Sequence, residues 1–406
     1  MKVAGIVCEY NPFHNGHKYH IEKTREVCSA DYVIAVMSGS FVQRGMPALI
    51  SKYDRAAMAL MQGIDMVIEI PVRYSTSSAE GYAFAACDIM KKTGIIDSIC
   101  FGSETASLDT LSLYADILSA NDDSLNNLIN QLMKTGITYP QAREAALARI
   151  TNSDVFELAS PNNILAIEYI KALRGSSIKP FNIVRREAAY HDAETSDKES
   201  ICSATAIRRI LSENDVTNHL NDKISSFVPE GFSKMLDKTL CPDDFSMALY
   251  TSLLASDGHY DDYLDVSASL GNRISNSLSD YTCFTDFAAH LKTRQYTLSR
   301  IQRSLCHIML GIKNDTQSDT SGTKYDVPYI RVLGFKKSSS ALMKMLTNKS
   351  LVPVITKASM LHNLEGYKKK LLTEDIQASL LYEKHFNYKH SVKGSVNEYT
   401  RGMVIL

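Results

Sequence analysis

The sequence lacks most of the features that would set it apart from ordinary folded proteins. Its eight cysteines stand at 8, 28, 87, 100, 202, 241, 283 and 306, with no CxxC pair. That scatter excludes a zinc ribbon and a disulfide framework, suits reduced thiols, and leads us to expect a cytoplasmic protein. No apolar run reaches the length of a membrane span, and the opening Met1-Lys2-Val3-Ala4-Gly5-Ile6-Val7-Cys8 meets Glu9 too early for a signal peptide. Net charge is missing too: 44 Lys and Arg against 45 Asp and Glu give −1. Bulk electrostatics therefore cannot hold a nucleic acid, and any RNA contact must come from a local basic surface. The chain has no internal repeat, no low-complexity tract, and no DxD or HExxH pattern to cage a metal.

What remains is a chain of 406 residues, 45% hydrophobic and 22% charged, long enough for two or three cores. Its first 110 residues alternate short apolar runs with amphipathic stretches. Val3 to Val7 reads as a strand, Glu9 to Gly16 as a loop and His17 to Cys28 as a helix. The strand-like run Tyr32 to Met37 ends at Ser38-Gly39-Ser40; a helix from Lys52 to Gln62 and a strand from Met66 to Ile70 follow. Another helix, Ala79 to Lys92, leads to Ser98-Ile99-Cys100-Phe101. This alternation predicts an α/β fold: a Rossmann-like parallel sheet with helices on both faces. Ligands of such sheets sit beyond the carboxyl ends of the strands, so the loops after Val7, Met37, Ile70 and Phe101 should share one rim. Helices are predicted from 106 to 150, over Asn162 to Leu173 and over Ser203 to Leu211, with a further strand at Phe181 to Val184. Beyond 225 the pattern is mostly helical. We expect an α/β domain over 1–225 and a mostly helical C-terminal domain over 226–406.

The sharpest local pattern is Asn11-Pro12-Phe13-His14-Asn15-Gly16-His17, between the first strand and the first helix. A helix start offers free N–H groups and the positive end of the helix dipole, which suits a polyphosphate. Gly16 lets a nucleotide ring approach the backbone, and His14 and His17 can donate hydrogen bonds to phosphate oxygens. The competing reading is a turn with two solvent-facing histidines. Far along the chain, Ile201-Cys202-Ser203-Ala204-Thr205-Ala206-Ile207-Arg208 puts hydroxyls at a helix start with an arginine one turn in. It reads either as an anion site or as a capped helix with a surface arginine.

Together these strings resemble the HxGH and ISSTxxR motifs of the HxGH nucleotidyltransferase superfamily, with Cys202 where the generic pattern has serine. The longer runs are more specific. Gly5 to His17, Val36 to Gly45, Phe101-Gly102-Ser103-Glu104, Ser160-Pro161-Asn162-Asn163-Ile164-Leu165 and Arg185-Arg186-Glu187-Ala188-Ala189-Tyr190-His191-Asp192 are similar to the bacterial tRNA(Met) cytidine acetate ligase family. The resemblance covers most of residues 1–215 and continues more loosely beyond.

That resemblance implies an ATP-dependent ligase. It would form acetyl-adenylate, release pyrophosphate, and transfer acetyl to N4 of the wobble cytidine of elongator tRNA(Met). It implies ATP contacts along Val7, Cys8, Glu9, Tyr10, Asn11, Pro12, Phe13, His14, Asn15, Gly16, His17, Lys18, Tyr19 and His20. Gly102 would lie against adenine, and Asn162, Asn163, Arg185, Arg186, Ser203 and Thr205 would add further contacts. His14 and His17 would stabilise the α- and β-phosphates, with Arg208 and Arg209 on the leaving pyrophosphate. Mg²⁺ is expected with the nucleotide, held mainly by its phosphates. His191 is a candidate base for the acetyl transfer. Asn162-Asn163 also reads as a helix N-cap, and Arg185 or Arg186 as half of an ion pair with Glu187.

For tRNA the candidates are Arg44, Arg300 and Arg303. Residues 287–314 hold Lys292, Arg294, Arg300, Arg303 and Lys313 and no acid. On a helix from Tyr296 to Leu310, the stripe Leu298, Ile301, Leu305 and Ile308 should face inward, leaving Arg300, Arg303 and His307 outward for RNA phosphate. Lys336 and Lys337 would extend this track. The same helix also reads as the surface of a bundle, and Arg44 as a partner for acetate, for tRNA phosphate, or for Glu69 or Asp54. Two other functions stay open: adenylylation of a small phosphorylated metabolite, and RNA binding without catalysis.

Overall fold

The computed structural model describes residues 1–104, 107–120, 123–151, 160–184, 202–213, 224–314, 325–393 and 397–406. Five parallel strands form the body of the main sheet: β1 (Val3–Cys8), β2 (Tyr32–Ser38), β5 (Met66–Ile70), β6 (Ser98–Ser103) and β7 (Lys179–Val184). They are joined in the order β7-β6-β1-β2-β5. Registers such as Val7 with Val36, Met37 with Glu69 and Gly102 with Ile183 align their carboxyl ends. The loops after β1, β2, β5 and β6 thus share one rim, as the alternating pattern predicts.

Between these strands run α1 (Asn15–Cys28), α2 (Lys52–Met61), the short α3 (Val72–Ser75) and α4 (Ala79–Thr93). Four more helices follow: α5 (Leu108–Ser119), α6 (Asp123–Met133), α7 (Tyr139–Thr151) and α8 (Pro161–Ala172). Helix α9 (Ala204–Glu213) carries Thr205 and Arg208 of the second motif. Apolar side chains on alternate strand positions feed opposite faces. Ile34, Val36, Ile68 and Ile99 meet α4 and α8, while Val33, Ala35, Met37 and Val67 meet α2. A buried sheet needs both coverings, and the sequence supplies both.

Three features depart from the expected pattern. A two-stranded hairpin, β3 (Phe41–Val42) with β4 (Met46–Pro47), follows β2. Its three-residue loop ends on Gly45 at φ +71°, the left-handed position that glycine fills without strain. Residues assigned above to a helical C-terminal domain also include strands of the main sheet. Strand β8 (Ile330–Phe335) pairs antiparallel with β5, and both β9 (Val354–Ile355) and β10 (Val404–Ile405) pair with β8. The helix Gly366–Lys389 packs its Leu371, Leu372 and Ile376 into the core that begins at Val3. A third departure concerns the helix Leu298–Leu310, which packs with the helices Ser246–Ala255 and Phe284–Leu291 in an apolar cluster of its own. Its predicted outward residue His307 is fully buried, with Nδ1 2.8 Å from the Leu264 carbonyl and Nε2 3.1 Å from Thr76 Oγ1. Predicted inward Leu298 is exposed instead. The helix is covered on two sides rather than one, which a single apolar stripe does not reveal.

Candidate active site

The loop after β1 is anchored by its apolar residues. Tyr10 and Phe13 are buried with ring centroids 4.8 Å apart, and Phe13 packs edge-on against Phe232. Asn11 turns its carboxamide oxygen to the Leu49 N–H at 2.7 Å. This fixed loop delivers His14 as the N-cap of α1, with extended backbone at φ −144°. The two histidines form a reciprocal cap. The His14 N–H donates to His17 Nδ1 at 3.3 Å, and the rings stack with centroids 3.7 Å apart and planes 21° apart. Because His17 Nδ1 accepts, the neutral ring carries its proton on Nε2 and can donate it to a phosphate oxygen. Burial, with His14 and His20 as neighbouring imidazoles, holds the His17 pKa well below its usual value; burial alone pushes His20 down to about 4. The site therefore presents a neutral His17 imidazole, stacked on His14, at a helix start, where its Nε2 proton can meet a polyanion.

Helix α9 is brought to the same loop. Ser203 Oγ accepts the Ala206 N–H at 3.2 Å, which caps the helix. Arg208 donates from Nη2 to Thr205 Oγ1 at 3.0 Å and from Nη1 to the Asn11 carbonyl. Burial lowers the Arg208 pKa, opposed by Glu9 and reinforced by Arg44, so these three charges share one neighbourhood. The backbone of Asn15 completes the junction by donating to the Phe227 carbonyl at 3.0 Å. Two motifs almost two hundred residues apart thus form one cradle. The capped-helix reading of Ser203 and the anion-site reading of Arg208 are compatible: the cap fixes the helix that presents the arginine.

The other implied contacts divide. Gly102, in β6, has open space on its free side, where an added Cβ would meet only the Ile183 carbonyl at 4.0 Å. A planar ring could lie there. Asn163 is buried, and its Oδ1 accepts the Glu104 N–H at 3.0 Å. The Glu104 carboxylate in return takes the N–H groups of Asn163 and Asn162, at 3.1 and 3.4 Å, and the Ser160 hydroxyl at 2.7 Å. The loop after β6 and the start of α8 therefore brace each other, and Asn162 remains exposed at the surface. Arg185, Arg186 and the candidate base His191 lie outside the described residues. Lys18 and His20 continue α1 half-buried, and Tyr19 faces outward.

Arg44 sits exposed at the tip of the β3–β4 hairpin. The two acids considered as its partners are engaged elsewhere: Glu69 with Lys52 and Arg331, and Asp54 with the Ser51 hydroxyl. Gly45 presses on the helix Leu298–Leu310 so closely that a Cβ would come within 2.5 Å of Arg303 Cα. As a result Arg44, Arg300 and Arg303 line one cleft of about 780 Å³ between the hairpin, α7, α8 and that helix. The three are not equivalent. Arg303 is 12% exposed and pairs with Asp265 at 3.1 Å, whereas Arg300 lies over the Tyr296 ring at 5.1 Å.

Sequence reasoning assigned no role to Lys52 or Arg55, both fully buried on α2. Their signal was two cations on a helix whose other residues, Ala56 and Ala59, mark a core-facing side.

With this geometry, residues 1–396 match the HIGH Nucleotidyl Transferase family. A protein of Thermoanaerobacter sp. strain X514 named tRNA(Met) cytidine acetate ligase is 38% identical over 387 residues, covering 93% of this chain and 94% of that one. One of the same name from Clostridium tetani is 37% identical, covering 88% and 90%. The chain belongs to the tRNA(Met) cytidine acetate ligase family of HIGH nucleotidyl transferases. Among solved structures, Thermotoga maritima TmcAL bound with alpha-thio ATP is similar over the whole of both chains, with a TM-score of 0.87 and 29% identity. The apo form of that protein gives 0.88 and 30%. The family resemblance read from the motif strings and the Rossmann-like α/β fold are both borne out. No helix among the described residues is long and apolar enough to cross a membrane.

Proposed function

We propose that this protein is an ATP-dependent acetate ligase that acetylates N4 of the wobble cytidine of elongator tRNA(Met), a cytoplasmic enzyme of RNA modification. The observation that carries this reading is the fastening of Arg208 to the loop of His14 and His17, which makes one cradle for a triphosphate. An acetate oxygen attacks the α-phosphorus, the bond from that phosphorus to the bridging oxygen breaks, and pyrophosphate leaves with the electron pair. Little covalent help is needed from the protein. It supplies alignment and donors aimed at the oxygens where charge accumulates. His17 donates from Nε2, His14 flanks it, and Arg208 takes charge on the leaving group. The cytidine amine then attacks the acetyl carbonyl, AMP departs, and the amine proton passes to a base. His191 is our candidate for that base, and Arg185 and Arg186 are candidates for ATP.

Mg²⁺ would accompany the nucleotide and neutralise part of its charge. Among the described residues no group of three or more His, Cys, Asp or Glu is placed to hold a metal, so its ligands would be chiefly phosphate oxygens. For tRNA we propose the cleft under Arg44 and Arg300, where the helix Leu298–Leu310 of the C-terminal part, 226–406, faces the β3–β4 hairpin. Arg44 and Arg300 have no ion-pair partner among the described residues and remain available to phosphate.

Pyrophosphate release from ATP tests the whole reading. Release should require acetate, and acetyl should appear on tRNA(Met) cytidine when that tRNA is added. Release that ignores acetate and needs a phosphorylated metabolite would replace this reading with that of a small-molecule adenylyltransferase. tRNA binding without any turnover of ATP would leave a binding protein.

A further inference from the structure

Arg55, on α2, has the largest fully buried side chain among the described residues, and its surroundings are unusual for a buried guanidinium. Its Nη1 donates to the carbonyls of Glu9 at 2.6 Å and Ser38 at 3.0 Å, its Nη2 to that of Gly39, and its Nε to that of Ile50 at 3.3 Å. All four acceptors are backbone carbonyls, and among the described residues no carboxylate lies within ion-pair distance. Its neighbour Lys52, by contrast, is neutralised directly by Glu69. A buried cation whose hydrogen-bond partners are all dipoles, with the Glu9 and Glu69 carboxylates acting on it only from beyond ion-pair distance, is costly, and an apolar side chain would fill the same space more cheaply.

The acceptors indicate what the charge does. Glu9 begins the loop that carries His14, while Ser38 and Gly39 begin the loop that carries Arg44. At the carboxyl ends of parallel strands, carbonyl oxygens without a ladder partner point at the rim and make it negative. A triphosphate bound there would meet those dipoles unless something offset them. Glu9 adds to the problem, because its carboxylate is held at the rim by the Gln43 N–H at 2.9 Å.

We propose that Arg55 is a positioning residue for the nucleotide: it gathers the carbonyl ends of β1 and β2 and, being unpaired with any acid, sets a positive potential beneath the triphosphate. Arg55 touches no reacting atom. It acts through the backbone of Glu9 and through its field, which a low-dielectric surrounding transmits well. This rests on the rim being an ATP site, as proposed above.

The test compares Arg55→Lys, which keeps the charge, with Arg55→Gln, which keeps amide donors and loses it. ATP affinity is read directly by titration calorimetry, and KM for ATP and acetate by acetate-dependent exchange of pyrophosphate into ATP. Melting by circular dichroism identifies variants that fold. For Arg55→Gln, ATP affinity should fall at least tenfold while KM for acetate stays within twofold. Arg55→Lys should lie within threefold of the unchanged protein in ATP affinity. A folded Arg55→Gln protein that binds ATP normally would overturn the proposal, as would a folded Arg55→Lys protein no better than Arg55→Gln. If Arg55→Gln fails to fold, Arg55→Lys decides: near-normal ATP affinity supports the charge, and a tenfold loss in a folded protein refutes it. Absence of acetate-dependent exchange in the unchanged protein would remove the ligase reading and leave the calorimetric comparison standing.

Discussion

The guanidinium of Arg208 donates to the backbone carbonyl of Asn11, across a separation of 197 residues. One bond therefore sets the distance between the imidazole pair and the arginine expected on the departing pyrophosphate. Replacing Arg208 by Ala removes both the fastening and the proposed phosphate ligand. We expect KM for ATP to rise by roughly tenfold or more, the loss of a charge-assisted hydrogen bond. Titrating ATP in the pyrophosphate-release assay checks this; an unchanged KM would place the triphosphate elsewhere.

His14→Ala and His17→Ala should each cut acetate-dependent adenylate formation by about 100-fold, the usual effect of removing one preorganised donor from a developing charge. tRNA binding should persist in both, because the cleft under Arg44 and Arg300 is built from other elements. Exchange kinetics and a filter-binding assay separate the two effects. Full activity in either variant would return that imidazole to the role of a surface turn.

Much of this site is visible in the sequence because it is local. His14 and His17 lie within one helical turn, and Ser203, Thr205 and Arg208 lie within six residues of one another, so spacing alone places each group on a helix start. What spacing does not carry is the docking between segments. His307 reads as an outward residue of an amphipathic helix until Thr76 and Leu264 arrive from distant parts of the chain to satisfy both ring nitrogens. Strand β8 is a short apolar run inside a mostly helical region, and its place next to β5 is set by long-range pairing. Asn163 fits both an ATP contact and a cap by type, and only the Glu104 backbone beside it shows how its oxygen is used.

The structure also separates two arginines that charge patterning treats alike. Arg303 is tied to Asp265 and covered by the hairpin at Gly45, so Arg303→Ala should destabilise the fold more than it weakens RNA binding. Arg300→Ala should weaken tRNA binding uniformly and reduce the salt dependence by about one counterion, leaving tRNA-independent adenylate formation intact. Measuring tRNA affinity at several salt concentrations decides the point. An unaltered slope would mean that Arg300 makes no phosphate contact.

Acid should loosen helix α1. The folded pKa of His20 is depressed to about 4 by burial, below the ordinary value of 6.5. The unfolded chain therefore takes up the proton first. Stability is fully present above pH 6.5 and is lost as pH falls through the window down to 4. We expect His20 to account for about 2 kcal/mol of that loss, less than full burial would give because the ring is partly exposed. Urea unfolding at pH 7.5 and pH 5 should show a smaller difference for His20→Asn than for the unchanged protein. Equal differences would show that His20 is not the group responsible.

The last prediction concerns how the C-terminal segment is held. Lys52 donates to Glu69 at 2.8 and 3.0 Å, to Ser379 at 2.8 Å and to Glu398 at 3.1 Å. Arg331 pairs with the same two glutamates, and Tyr53 donates to Glu398 at 3.0 Å. Although burial works to raise it, Lys52 and Arg331 hold the Glu69 carboxyl below its ordinary pKa. Two cations and two anions close this cluster to neutrality inside the fold. Lys52→Met leaves one excess buried anion, which should cost about 3–5 kcal/mol and lower the melting temperature by several degrees. Glu398→Gln in the same chain should recover part of the loss by removing that anion, since groups sharing one network are not additive. Thermal melts of the two single variants and the double variant give the coupling directly. If the effects simply add, Lys52 and Glu398 do not hold each other, and Glu398 is held by Arg331 and Tyr53 instead.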